Sequence, residues 1–252
     1  AIRALSIATT VLWILTVFFS VTSIYSALKL SFGFGELEAS ASSEVFTMSL
    51  PFYIDNGGFY DISDLNVTTD INSRDGMRIS NSTTLIPLIS RGSRVDRAHN
   101  ISISMDDIIS RDLTDLLFQD SVFDIDMFVA LKYARAIPLQ LSSNTTMFWG
   151  APLANISIGE ISYIPIPGNL THLKIIVPFS FENHSSFTLD GTVRLELVDV
   201  GVGETSISVP PMTAYSTQVE VVVRSDARTP TEARAYFETS AFSFGPKVIP
   251  FG

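Results

Sequence analysis

Hydrophobic and polar positions along this 252-residue chain follow two patterns. Through residues 1–30 apolar residues run almost unbroken, and only Arg3 and Lys29 are charged. A helix rising 1.5 Å per residue over the uncharged residues 4–28 is long enough to cross a hydrocarbon core of about 30 Å. From residue 44 onward the pattern becomes short alternations at 45–53, 65–71, 100–105, 123–133, 156–161, 173–181, 192–198 and 218–223, broken by Gly, Asn, Asp and Pro. Period-two runs of this kind predict antiparallel strands packed as a sandwich. Between the two patterns, residues 31–43 read SFGFGELEASASS, small-residue turn chemistry that predicts a neck or hinge.

The alternations repeat. Residues 51–56, PFYIDN, return as 178–183, PFSFEN, each followed within a few residues by Phe59 or Phe187. Further on, Ile86-Pro87 is matched with Val209-Pro210, and Ile137-Pro138 with Ile249-Pro250. Self-similarity in constant order means two copies of one unit. The prediction is a first β-sandwich over 44–163 and a second over 164–252, joined at the proline-stiffened residues 163–168, YIPIPG. Each copy is expected to hold one short helix. In the first, Asp106 and Asp107 lead into Ile108, Ile109, Leu113, Leu116 and Leu117 at helical spacing; in the second, Thr229-Pro230-Thr231-Glu232 reads as a capping box.

In these features the chain resembles the late-embryogenesis-abundant proteins of the water-stress and hypersensitive-response type. The resemblance rests on strands ending at Asn56 and Asn183, a following Phe, an alternating strand and a proline-led segment into a β-rich run. It covers most of residues 44–252 and implies immunoglobulin-like antiparallel sandwiches of about seven strands with no catalytic residues. Where the family has Asn-Pro, this chain has Asn56-Gly57 and Asn183-His184.

Composition narrows the function. The formal net charge of −10 argues against nucleic acid, which needs a clustered basic surface. Without cysteine the chain has no disulfide, thiolate nucleophile or thiolate metal site. Of nine asparagines, seven (Asn66, Asn81, Asn100, Asn144, Asn155, Asn169 and Asn183) open an N-x-S/T acceptor sequence without proline at x. Chance gives roughly two such matches at this serine and threonine content. N-linked glycans on an extracellular, cell-surface chain are therefore expected; serine- and threonine-rich strands that raise the count by composition alone are the alternative.

No chemistry of catalysis stands out. His99, His172 and His184 lack metal-ligand spacing, and the acidic residues 106–126 lack the glycine turn of a calcium loop, so capping and a solvated strand face explain them better. Residues 33–35 and 201–203 carry the Gly-x-Gly pattern without the helix of a dinucleotide loop. No serine has a nucleophile-elbow context. Trp149, beside Phe148 and Gly150, reads as an exposed aromatic contact or a core plug. No enzyme activity, cofactor or metal is expected.

The helix carries the remaining signal. Ser6, Thr9, Trp13, Thr16, Ser20, Ser23 and Ala27 follow alternating steps of three and four, the seam of a left-handed helix pair, and all but Trp13 are small. The seam predicts a helix-to-helix packing face; the alternative is hydroxyls bonded back to the preceding turn. An apolar helix, a neck and a glycosylated β-sandwich head together resemble the layout of an archaeal type IV pilin or archaellin. That resemblance implies a filament built by homo-oligomerisation through the N-terminal helices, with the helix stored in the membrane before assembly and an N-terminus processed as in prepilins. The alternative is a single-pass surface protein with an uncleaved anchor and tandem binding or protective domains. Finally, if the two copies are strictly homologous there, the second is expected to lack a last strand after Ile249-Pro250, exposing an edge covered by a neighbouring chain's residues 36–50, a loop or a glycan.

Overall fold

The computed structural model describes residues 2–250 except Leu37, Ser43, Glu44, Asp112 and Arg228, and omits the side chains of 2–8, Ala39, Ser42 and Leu170. The chain is mainly β with an N-terminal apolar helix, α1 (Ile2–Ala27). There follow β1 (Leu30–Phe34), β2 (Glu38–Ser42), β3 (Val45–Asn56), β4 (Ile62–Ser73), β5 (Arg78–Ile89) and β6 (Ser93–Ser104). Two short helices, α2 (Met105–Ser110) and α3 (Asp115–Phe118), lead to β7 (Ser121–Tyr133) and β8 (Ile137–Trp149). The chain continues through β9 (Ala154–Ile158), β10 (Ser162–Ile166), β11 (Asn169–Asn183) and β12 (Leu189–Leu197) to β13 (Gly201–Val209), β14 (Thr213–Arg224), β15 (Glu232–Thr239) and β16 (Ser243–Pro250).

One plan is used twice. In the first unit β3 carries β1 and β2 end to end along one side and β6 along the other, and the second sheet runs β5-β4-β7-β8. In the second unit β11 carries β9 and β10 along one side and β14 along the other, and the second sheet runs β13-β12-β15-β16. All pairings are antiparallel, giving two immunoglobulin-like sandwiches. The alternation seen in the sequence is the burial pattern: Phe46, Met48, Phe52 and Ile54 of β3 point inward, as do Ile175, Val177, Phe179 and Phe181 of β11.

Two glycines show how closely the copies agree. Gly35 N donates to Pro51 O at 2.8 Å, and Gly159 N donates to Pro178 O at 2.9 Å. At each position a Cβ would lie 3.1 Å from the Cβ of that proline, which is tight enough to favour glycine where the outer strand breaks.

Several expectations change in this light. Residues 31–43 are not an unstructured neck, because β1 and β2 hydrogen-bond along most of β3 and form the first strand of the sandwich; Ser43 lies outside the described residues. The boundary between the units falls at residues 150–153, since β9 already pairs with β11, and residues 163–168 lie inside the second unit. The expected helix in the first unit is two short ones, α2 and α3. The expected capping box of the second unit forms no helix: Glu232 instead opens β15.

The proline correspondences also shift. Asn56 bonds Ile89 O and Asn183 bonds Val209 O, so the partner of Val209 is Ile89 rather than Ile86. Ile137 opens β8 whereas Ile249 closes β16, so those two are not equivalent. The second sandwich therefore lacks no strand: β16 is the counterpart of β8 and pairs with β15 of its own chain. Residues 38–42 and 45–50 are likewise paired within their own chain, which removes the basis for an exchanged strand; Phe251 and Gly252 lie outside the described residues.

The core does not stop at the boundary. One apolar cluster runs from Phe46, Ile103 and Phe123 through Trp149 and Leu153 to Val177, Phe181 and Phe237. Phe52, Ile54, Ile62, Leu131 and Tyr133 form a smaller cluster at the helix-facing end of the first unit.

Candidate functional site

α1 emerges from the first sandwich as a bare apolar rod. Residues 9–18 are exposed all round, and Trp13 and Phe18 are each 66% exposed. The segment Thr9–Ala27 is long and apolar enough to cross a membrane. Its last turns, by contrast, are seated on the loop after β3. Phe59 N donates to Ser26 Oγ at 2.6 Å, Tyr133 Oη donates to the same oxygen, and Thr22 Oγ1 lies 2.7 Å from Tyr60 Oη. Phe19 meets Tyr60 edge-on at 5.6 Å, and Tyr25 stacks on Phe59 at 5.8 Å. The seat needs glycine: a Cβ on Gly58 would lie 2.5 Å from Ser26 Oγ.

The loop is shaped by Asn56, which is fully buried at the end of β3. Its Nδ2 donates to Tyr60 O at 2.9 Å and Ile89 O at 3.2 Å, and its Oδ1 accepts from Gly58 N at 3.3 Å. Asn183 does the same at the end of β11, donating to Phe187 O, Val209 O and Pro210 O and accepting from Ser185 N. What sits on each loop is the module before it. The loop at 57–60 holds α1, and the loop at 184–187 holds the end of the first sandwich: Phe46 lies 5.8 Å from Phe187, and His184 N donates to Ala151 O at 2.9 Å. A Cβ on Gly150 would lie 1.8 Å from His184 O, so the two backbones meet there directly.

The seam positions behave unevenly. Thr16 Oγ1 donates to Leu12 O and Ser20 Oγ to Thr16 O, both at 2.8 Å, so these hydroxyls bond back to the preceding turn. Thr9, Trp13, Thr16, Ser20 and Ala27 are exposed, while Ser23 is buried against its own sandwich. The Ser6 side chain lies outside the described residues. The residues that fix the helix, Thr22 and Ser26, are off the seam; their i, i+4 spacing is the signal that could have found them.

Among the acceptor asparagines, Asn81, Asn100, Asn144, Asn155 and Asn169 are exposed and Asn66 is half-buried. Asn183 leaves the set. Its side chain has 0% exposure and its amide nitrogen is committed to three carbonyls, which leaves no room for a sugar in the fold.

At the junction between the sandwiches, His184 Nδ1 lies 2.9 Å from Asp120 Oδ2 of the first unit, and its Nε2 lies 2.7 Å from Glu182 Oε2. The Glu182 hydrogen bond, together with Asp120, raises the His184 pKa above the ordinary imidazole value against partial desolvation. His184 in turn, with Asn155, lowers that of Glu182. His99 is the opposite case: burial lowers its pKa, and its two nitrogens meet Thr84 and Thr69 hydroxyls at 2.8 and 3.0 Å. Trp149 is a core plug, stacked on Phe123 at 5.3 Å with Nε1 donating to Leu116 O, whereas Phe148 beside it is exposed. Among the described residues, no three His, Asp or Glu side chains are grouped to hold a metal ion.

No family model and no curated protein matches the chain. Among solved structures it is similar to red sea bream transglutaminase, with 13% identity and a TM-score of 0.28 over 88% of this chain and 31% of that one. It is also similar to a structure described as pT26-6p, with 9% identity and a TM-score of 0.30 over 90% of this chain and 66% of that one. The chain thus spans under a third of the transglutaminase, and likeness at this level establishes neither family nor activity.

Proposed function

We propose that the protein is a structural subunit of an extracellular glycosylated filament of the archaeal type IV pilus or archaellum kind, with α1 as its core. The observation that carries this reading is the contrast within α1. Residues 9–18 are mostly apolar and exposed, while the end of the same helix is locked to the first sandwich through Thr22 and Ser26. Exposed apolar surface of this extent has to be buried against something. A helix fixed to its head at the base transmits the position of the head to whatever packs around the helix. Copies of α1 supply that packing in a filament, and lipid supplies it before assembly. The exposed acceptor asparagines support a location of the sandwiches outside the cell.

A single-pass surface anchor is the second reading. It is favoured by Thr16 and Ser20, whose hydroxyls are satisfied within their own helix and need no neighbour. Cysteine cross-linking separates the two, because the chain has no native cysteine to interfere. In native material, Thr16→Cys and Ser20→Cys should form cross-links between chains along ordered fibres seen by electron microscopy. Dispersed particles in detergent with no cross-link at either position would refute the filament.

A further inference from the structure

Six acceptor asparagines remain once Asn183 is set aside, and four of them lie on strands that close the edge of a sheet. Asn81 on β5 and Asn144 on β8 bound one sheet, Asn100 on β6 bounds the sheet built on β3, and Asn155 on β9 bounds the sheet built on β11. All four are exposed. An edge strand presents unpaired N–H and C=O groups on which a strand of another chain can form. Proteins usually guard such edges with charge or proline, and the segments around these asparagines have little of either. Over their whole length β8 and β9 contain no Asp, Glu, Lys or Arg and only Pro138; β5 carries Arg78 and Pro87 at its two ends, and β6 carries Arg94, Asp96 and Arg97 in its first half, leaving residues 98–104 around Asn100 uncharged.

Most edge strands without an acceptor carry such guards. β16 has Pro246, Lys247 and Pro250, β10 has Pro165, β13 has Glu204, β14 has Glu220 and Arg224, and β2 has Glu38. The five-residue β1 has neither. The barest edge is β8, where residues 138–146 are exposed on both faces and Leu141 is 74% exposed.

Two of these side chains are fixed by carboxylates on the same sheet face. Asn81, Asp70, Asp126 and Asn144 form one row across the sheet, with Asn81 Nδ2 donating to Asp70 Oδ1 at 2.8 Å and Asn144 Nδ2 donating to Asp126 Oδ1 at 2.7 Å. Attachment joins Nδ2 to the anomeric carbon of a lipid-carried sugar phosphate. The bond from that carbon to the phosphate oxygen breaks and one amide proton leaves. The second amide hydrogen remains, so the bond to Asp70 or Asp126 can orient the finished glycan.

We propose that glycans on Asn81, Asn100, Asn144 and Asn155 insulate the sheet edges and prevent strand pairing between chains. This rests on the glycosylated-surface reading above, and the test keeps the two apart. The parent chain is purified from its native source in detergent, which covers α1 equally in every sample, and its intact mass is measured first. A parent mass equal to the bare polypeptide overturns both the glycosylation reading and this role.

With a glycosylated parent, Thr146→Ala removes the acceptor sequence while keeping Asn144 and its bond to Asp126. It should lose one glycan mass and raise the self-association constant in sedimentation by about tenfold, the change about 1.4 kcal/mol produces. Adding Leu141→Lys to that variant should restore the parent value by charging the bare edge. Loss of a glycan with unchanged association, or association that Leu141→Lys leaves in place, refutes edge insulation while the glycosylation reading stands.

Discussion

Single residues decide where the modules of this chain meet. Asn56 and Asn183 share a set of bonds to the loop that follows them, and each is buried while donating to backbone carbonyls on both sides of that loop. Asn183→Ala should therefore cost about 1–3 kcal/mol in urea unfolding, the range for stranding a buried polar group, and Asn56→Ala a similar amount. Asn183→Ala should also change the intact mass by the substitution alone, as a structural asparagine requires and a glycosylated one does not. The sequence revealed both asparagines through the repeated strand ends, yet the N-x-S pattern at Asn183 also suited a glycan. An acceptor motif is local, whereas the carbonyls that claim Asn183 lie 4, 26 and 27 residues away. Ser26 is a comparable case, since its partners Phe59 and Tyr133 are distant in sequence and its neighbours in α1 look interchangeable with it.

At the scale of elements, strands with alternation were legible, the edge strands β6, β9 and β14 included, whereas edge strands exposed on both faces or built of small residues were not. β4, β11 and β12 bury every second residue over most of their length, and β3 does so on either side of Leu50, so the period shows; in β7 only Phe123, Leu131 and Tyr133 are fully buried. β8 is exposed along nearly its whole length and carries no such signal, although it pairs with all of β7. The residues of β1 and β2 read as a neck for a similar reason: small side chains on an edge look like turn chemistry. For α1, Thr16→Leu with Ser20→Leu should preserve membrane insertion and hinder close helix packing, lowering the yield of assembled material. Assembly at the parental level would show that these hydroxyls serve only the preceding turn. The His184 clamp gives a pH prediction. Its pKa is raised in the fold, so its contribution is complete below the ordinary imidazole value of about 6.5 and is lost as pH rises through the folded pKa. The midpoint of thermal unfolding should thus fall more steeply above neutrality in the parent than in His184→Gln. Parallel curves would mean that His184, Asp120 and Glu182 contribute no linkage across the junction.

The whole molecule is a series in which each module sits on the loop of the next, α1 on 57–60 and the first sandwich on 184–187. The repetition was visible in the sequence, but where one copy gives way to the next was not, because the proline-rich residues 163–168 resemble a linker and in fact belong to β10 and its turn into β11. The true junction is short and apolar. Trp149, Ala151, Leu153 and Phe187 are buried there, and Leu153 N donates to Leu117 O at 2.8 Å. Two sandwiches joined by a polar linker would unfold independently, whereas two that share a core should melt together. Calorimetry of the intact chain is expected to give one β-sandwich transition whose calorimetric and van't Hoff enthalpies agree. Trp149→Ala removes the ring packed on Phe46 and Phe123 and the bond to Leu116, a loss of about 3–5 kcal/mol at the centre of that core. Because β11 to β16 keep their own inward-facing residues, the second sandwich should then survive the first, and the single transition should split into two. Two transitions already present in the parent would show that the junction transmits no stability, and with it would fall the idea that α1, fixed at one end of the series, sets the position of the far sandwich.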